Sequence, residues 1–205
     1  MKLVLVLFGA FVTLSTAVAA GWTTGLDRAA TAAAVAGRTP FWDSLAMSIS
    51  GIGNAPVVII AVVLAATYCA LARRPRYFAA VLWTPLAFLL DTGVKALVRH
   101  PRPLEVAIAP LPADYGYPSG HATVTMAFWL ILALLVAPGD PRPVTRRFLV
   151  YAAVGVAVLV AWSRVYLGVH SLTDVCGGLL LGSAGAVAAA RMARRGTPED
   201  LTLRV

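Results

Sequence analysis

Three short stretches hold most of the side chains able to do chemistry. They are Lys95-Ala-Leu-Val-Arg99-His100-Pro101-Arg102-Pro103, Tyr117-Pro118-Ser119-Gly120-His121, and Ser163-Arg164 followed after five residues by His170-Ser171-Leu172-Thr173-Asp174. All three histidines of the chain lie in them. His170 and Asp174 stand four apart at an expected helix start. At that spacing a carboxylate accepts a hydrogen bond from one ring nitrogen and fixes the tautomer of the other. An imidazole held in this way serves as a nucleophile or a base. Ser171-x-x-Asp174 also has the form of a capping box, in which the carboxylate only satisfies a backbone amide.

The other two stretches supply cations and amides. A helix beginning near Gly120 directs unpaired N–H groups and its positive dipole end at whatever lies before it, which suits an anion. Ser119 reads equally as the N-cap of that helix. His121, at the start of an apolar run, has no evident packing role. Lys95, Arg99 and Arg102 would share a face if their helix continued, but Pro101 and Pro103 turn the chain into a loop. Alone, Lys95 could simply pair with Asp91 one turn earlier. Combined, the stretches describe a pocket for an anion. A divalent metal among Lys95, Arg99, Arg102 and Arg164 would be repelled, so no metal and no other cofactor is expected. Several positive donors, helix-end amides, one oriented histidine and a second free one suit phosphoryl transfer.

The elements that must position these residues are membrane helices. Of 205 residues, 60% are hydrophobic and 13% charged, against about a quarter charged in a soluble domain. Mean hydropathy is +0.81. At about 20 residues per crossing, the apolar runs predict six spans, near 3–20, 55–72, 78–98, 121–136, 148–162 and 172–190. The expectation is an all-α integral membrane six-helix bundle forming a single domain over residues 1–205. The first run also ends in Ala17-Val18-Ala19, compatible with a signal-peptide cleavage site.

Charge sets the orientation. Arg73, Arg74, Arg76, Arg142, Arg146, Arg147, Arg191, Arg194 and Arg195 flank one set of loops, with Lys2 and Arg204 on the same side. Arg28, Arg38, Lys95, Arg99, Arg102 and Arg164 fall on the other side. The positive-inside bias then puts both termini in the cytoplasm and all three histidines at the extracytoplasmic face of a plasma (inner) membrane. The net charge of +8 is accounted for by topology and anionic lipid. No basic stripe interleaved with aromatics points to nucleic acid, and no obligate protein partner is implied.

Residues 22–54 are too polar to cross, yet Trp42, Leu45, Ile49 and Ile52 recur at helical spacing and Thr39-Pro40 has the form of a helix start. They read as short interfacial helices between the first two spans, packing on the bundle or gating a lipid. In the last span, Gly178 and Gly182 form a small-xxx-small pair that permits close helix approach. Cys69 and Cys176 sit in apolar runs as small hydrophobes. The tail after Arg195 is short, polar and expected to be mobile.

In order along the chain, Lys95 with six residues before Arg102-Pro103, then Pro118-Ser119-Gly120-His121, then Ser163-Arg164 with five residues before His170 and three more before Asp174 resemble the type 2 phosphatidic acid phosphatase superfamily. The signatures cover Lys95 to Asp174, and the six-span plan extends the likeness over nearly the whole chain. The resemblance implies that Lys95, Arg102, Ser119, Arg164 and the amide of Gly120 hold phosphate oxygens. It implies that His170 attacks phosphorus, Asp174 orients it, and His121 protonates the leaving oxygen. Arg99 and His100 lie outside the signature and would touch the site only indirectly. The implied substrate is a membrane lipid phosphate, with a polyprenyl diphosphate expected first and phosphatidylglycerophosphate or phosphatidic acid as alternatives. A lipid phosphotransferase and a non-catalytic headgroup binder are compatible with the same residues.

Overall fold

The structure, a computed structural model, describes residues 1–110, 113–136 and 143–195. Arg142, Arg204 and the polar tail after Arg195 lie outside the described residues. Nine α-helices are described and no strand among the described residues: α1 Lys2–Ala19, α2 Thr24–Ala36, α3 Pro40–Gly51, α4 Ala55–Leu71, α5 Pro75–Val81, α6 Trp83–Val98, α7 Gly120–Val136, α8 Pro143–Tyr166 and α9 Leu172–Arg194. A single 3-10 turn, Leu104–Val106, interrupts the loop between α6 and α7.

Among the described residues, five apolar stretches are long enough to cross a membrane: Lys2–Ala19, Pro40–Leu71, Pro75–Val98, Val144–Tyr166 and Leu172–Arg194. Helix α7 has 17 residues, about 25 Å at 1.5 Å per residue, slightly less than the hydrocarbon thickness of about 30 Å. It is also the helix most enclosed by protein, with Ala122, Ala127 and Ile131 fully buried.

Helices α7 and α9 form the most extensive pair in the bundle. The anticipated glycine pair lies on their seam: a methyl at Gly178 would come 2.6 Å from the Ser119 carbonyl oxygen, and one at Gly182 would press on the Thr123 carbonyl. Backbones this close are the usual consequence of small residues between membrane helices. Around the seam stand α1, α5, α6 and α8. Phe11 and Val18 of α1 are buried with Tyr117 and Leu181, so the first helix is an integral part of the packing.

The expected span 78–98 is two helices, α5 and α6, meeting at Leu82. Pro85 explains the break, because its ring nitrogen cannot donate to the Val81 carbonyl one turn back. The stretch 22–54 forms α2 and α3, which pack against α8, α2 also touching α9. Thr39 caps α3 as its sequence suggested, accepting from the Trp42 amide at 3.4 Å, with Pro40 in the first turn. The face of α3 that is buried is Ala46 and Ser50; Trp42 stays exposed and meets Trp162 edge-on. Cys69 and Cys176 are free thiols.

Candidate active site

The three stretches converge at one end of the bundle. Lys95 lies in the last turn of α6, Arg102 in the loop beyond it, Gly120 and His121 in the first turn of α7, Arg164 in the last turns of α8, and His170 in the turn joining α8 to α9. All six border one cavity of about 490 Å3. The rest of its lining is mainly apolar, with Ala55, Val58, Ile59 and Val62 of α4, Pro85 and Phe88 of α6, and Val124 of α7, and it also includes Thr84 and Asp114. The cavity therefore has a cationic head and a greasy body.

His170 is 2% exposed and its tautomer follows from its neighbours. Arg102 Nη1 lies 2.9 Å from His170 Nε2. A guanidinium only donates, so Nε2 carries a lone pair and the ring proton is on Nδ1. Nδ1 in turn faces Asp174 Oδ2 at 3.3 Å. Burial pushes the imidazole down to about 4, outweighing the upward pull of the Asp174 carboxylate. It is neutral at pH 7, and its Nε2 lone pair accepts from the Arg102 guanidinium.

Asp174 combines the two roles that its sequence left open. Its Oδ2 accepts from the Ser171 amide at 2.9 Å, completing the capping box, while it also orients His170. Its Oδ1 takes a bond that the sequence did not suggest, from His100 Nδ1 at 2.9 Å. Gly116 passes so close that a methyl there would sit 2.7 Å from Asp174 Oδ2. The carboxylate is thus enclosed by two histidines, an amide and bare backbone.

Lys95 pairs loosely with Asp91 one turn earlier, at 3.9 Å, and makes closer contacts elsewhere. Its ammonium donates to the carbonyls of Tyr115 at 2.8 Å and Pro118 at 2.7 Å, drawing the loop before α7 onto α6. Arg102 also donates to the Val169 carbonyl at 2.8 Å, and Arg164 to Ser50 Oγ at 2.6 Å. Ser119 does not act as the N-cap: its hydroxyl is buried without a partner among the described residues. Its backbone amide donates to the Asp174 carbonyl at 2.9 Å, tying the second stretch to the third. Arg99 ends α6 in a left-handed conformation (φ 53°) and folds back to the Ala96 carbonyl, away from the cavity.

Four contributors carried no sequence signature. Asp114 bonds Arg102 and lies 3.5 Å from Lys95, placing a carboxylate beside two of the cavity's cations. Burial works to raise its pKa, but the Arg102 hydrogen bond and the Lys95 charge hold it below the ordinary carboxylate value. Asn54, between α3 and α4, receives His121 Nε2 at 3.0 Å. Asp27 of α2 accepts from the amide and hydroxyl of Thr173 at 2.9 and 2.8 Å, capping α9 from another helix. Arg38 donates to the Tyr166 carbonyl at 2.8 Å, closing the end of α8.

Comparison with known proteins agrees with this architecture. Residues 29–198 match the PAP2 superfamily. Phosphatidylglycerophosphatase B of Bacillus subtilis is 30% identical, the alignment covering 86% of this chain and 87% of that one. Undecaprenyl-diphosphatase of Sulfolobus acidocaldarius is 41% identical over 48% of this chain and 46% of its own. The crystal structure of the transmembrane PAP2 type phosphatidylglycerolphosphate phosphatase from Bacillus subtilis superposes with a TM-score of 0.83 at 25% identity, covering 97% of this chain and 99% of that one. Sequence match, aligned length and superposed helices agree, and the chain belongs to the PAP2 superfamily as a multi-pass membrane phosphatase acting on phosphate esters.

Proposed function

We propose that this phosphatase hydrolyses the headgroup of a membrane lipid phosphate, without a metal, through a phosphohistidine on His170. The observation that carries the reading is the His170 ring: neutral, sealed, proton on Nδ1, and Nε2 directed to the cavity beside Arg102. A neutral imidazole attacks without first losing a proton. Its Nε2 forms a bond to phosphorus while the bond from phosphorus to the leaving oxygen breaks. His121, across the same cavity, gives that oxygen its proton. Water then adds to phosphorus, its proton passing to His121, and the N–P bond breaks to return His170 and release phosphate. Lys95, Arg102, Arg164 and the Gly120 amide face the charge that develops on the phosphoryl oxygens. Ser119, whose hydroxyl has no partner among the described residues, joins them, and Asp174 balances the charge on the phosphorylated ring.

The cationic head of the cavity disfavours a divalent ion. The greasy body between α4, α6 and α7 takes the acyl or isoprenoid tail, so the lipid need not leave the bilayer at about 0.8 kcal/mol per methylene. In this reading the whole chain is one domain that crosses six times, with α7 as the short crossing and α2 and α3 at the interface. Arg73, Arg74, Arg76, Arg146, Arg147, Arg191 and Arg194 cluster at the end opposite the cavity. This supports cytoplasmic termini and an extracytoplasmic site.

For the headgroup, a polyprenyl diphosphate remains the first reading. Similarity to a phosphatidylglycerophosphatase over most of both chains favours phosphatidylglycerophosphate as the second. Phosphate release from polyprenyl diphosphate, phosphatidylglycerophosphate and phosphatidic acid, each with excess chelator, tests all of this. Activity on one of these lipids that survives the chelator is expected. Loss on chelation overturns the metal-free chemistry, and lipid binding without phosphate release from any of them overturns catalysis. Label passing to an added lipid or sugar alcohol instead of water identifies a phosphotransferase.

A further inference from the structure

We infer that His100 is a positioning residue for the reaction: it holds Oδ1 of Asp174 so that the other carboxylate oxygen stays aligned with His170. The inference rests on the reading of His170 as nucleophile. The bond from His100 Nδ1 is the shorter of the carboxylate's two imidazole bonds, 2.9 Å against 3.3 Å. A carboxylate only accepts, so His100 Nδ1 carries a proton. The His100 backbone is fixed as well, its carbonyl accepting from the Gly116 amide at 2.7 Å.

The three groups differ in their access to solvent. Asp174 and His170 are 0% and 2% exposed, whereas the His100 side chain is 16% exposed. It borders a second cavity of about 750 Å3 between α2 and the loop after α6, on whose wall Asp27, Arg28, Arg102 and Glu105 also lie. His100 is thus the member of the network that exchanges protons with water. The Asp174 hydrogen bond raises its pKa, with burial opposing and Asp27 assisting. When His100 takes its second proton, its charge claims the carboxylate that must also balance the phosphorylated His170 ring. Turnover then falls on the acid side, beginning above the pH of about 6.5 at which an unperturbed histidine titrates.

The test uses the full chain in phospholipid vesicles, with phosphate release from polyprenyl diphosphate and phosphatidylglycerophosphate as the readout. His100→Ala is expected to lower kcat about tenfold, the loss of one charge-assisted hydrogen bond, with KM within about twofold. Added imidazole, entering from the second cavity, should restore part of the loss. His100→Asn, which keeps a donor but does not titrate, should recover most of kcat and abolish the acid-side fall. Unchanged kcat in His100→Ala, or an unchanged acid-side fall in a folded His100→Asn, overturns the inference provided His170→Ala is inactive. An active His170→Ala overturns the underlying phosphohistidine reading instead.

Discussion

His170 and His121 border one cavity from regions that are built differently. Around His170, Arg102 and Asp174 bond both ring nitrogens, Arg38 closes the end of α8, and Asp27 caps the start of α9. Among the described residues His121 makes a single side-chain bond, to Asn54, in the break between α3 and α4. Helix α4 packs mainly on α5 and only lightly on α7. In the proposed mechanism the side of the attacking His170 is thus held from several directions, while the wall that would admit and release a lipid is tied by the Asn54 amide. Phosphoryl transfer gains most from fixed geometry at the attacking atom. A bulky substrate needs the opposite wall to yield.

Substitutions can break or sharpen this contrast. His170→Ala is expected to lower kcat by about 10^4 or more while binding of lipid vesicles is retained, since removing a nucleophile removes the route. Measurable phosphate release at even a hundredth of the normal rate would contradict the assignment. His121→Ala should lower kcat by about 10^2 to 10^3, the usual worth of a proton donor. The loss should be smaller for a diphosphate, whose departing phosphate needs its proton less than an alkoxide does. Asn54→Ala should cost less than about tenfold, in keeping with the loss of one hydrogen bond to an imidazole. It should alter KM together with kcat, because the same residue begins the wall against the lipid. Asp27→Ala should lower the melting temperature, a lost helix cap costing about 1 kcal/mol, and leave KM unchanged. An unchanged melting temperature in Asp27→Ala would contradict the assignment of Asp27 as the cap of α9.

The fold was legible where local pattern dictates it. Apolar runs delimited the long helices to within a few residues at most ends, Thr39-Pro40 marked the start of α3, and Gly178 with Gly182 marked the seam. The break at Leu82 was also written in the sequence, in Pro85, but an uninterrupted apolar run hid it. In the site, residues whose type and spacing are unusual for a membrane helix could be found: Lys95, Arg102, His121, Arg164, His170 and Asp174. Asp27, Asn54 and Asp114 could not, and His100 was visible without its partner Asp174, because their significance lies in partners far away along the chain, such as Thr173 for Asp27. Asp27 in an alanine-rich helix and Asn54 before Ala55-Pro56 carried faint signals, each with an ordinary explanation at hand. Asp174 was framed as either a cap or an orienting group because a sequence suggests one partner at a time. A buried carboxylate has lone pairs for several.

The glycine seam constrains how the molecule can move. Because α7 and α9 touch backbone to backbone, the helix bearing His121 and the helix bearing Asp174 cannot part without opening voids along their length. Any yielding that a bulky lipid requires is therefore left to the periphery, where α4 leans on α5 and only lightly on α7.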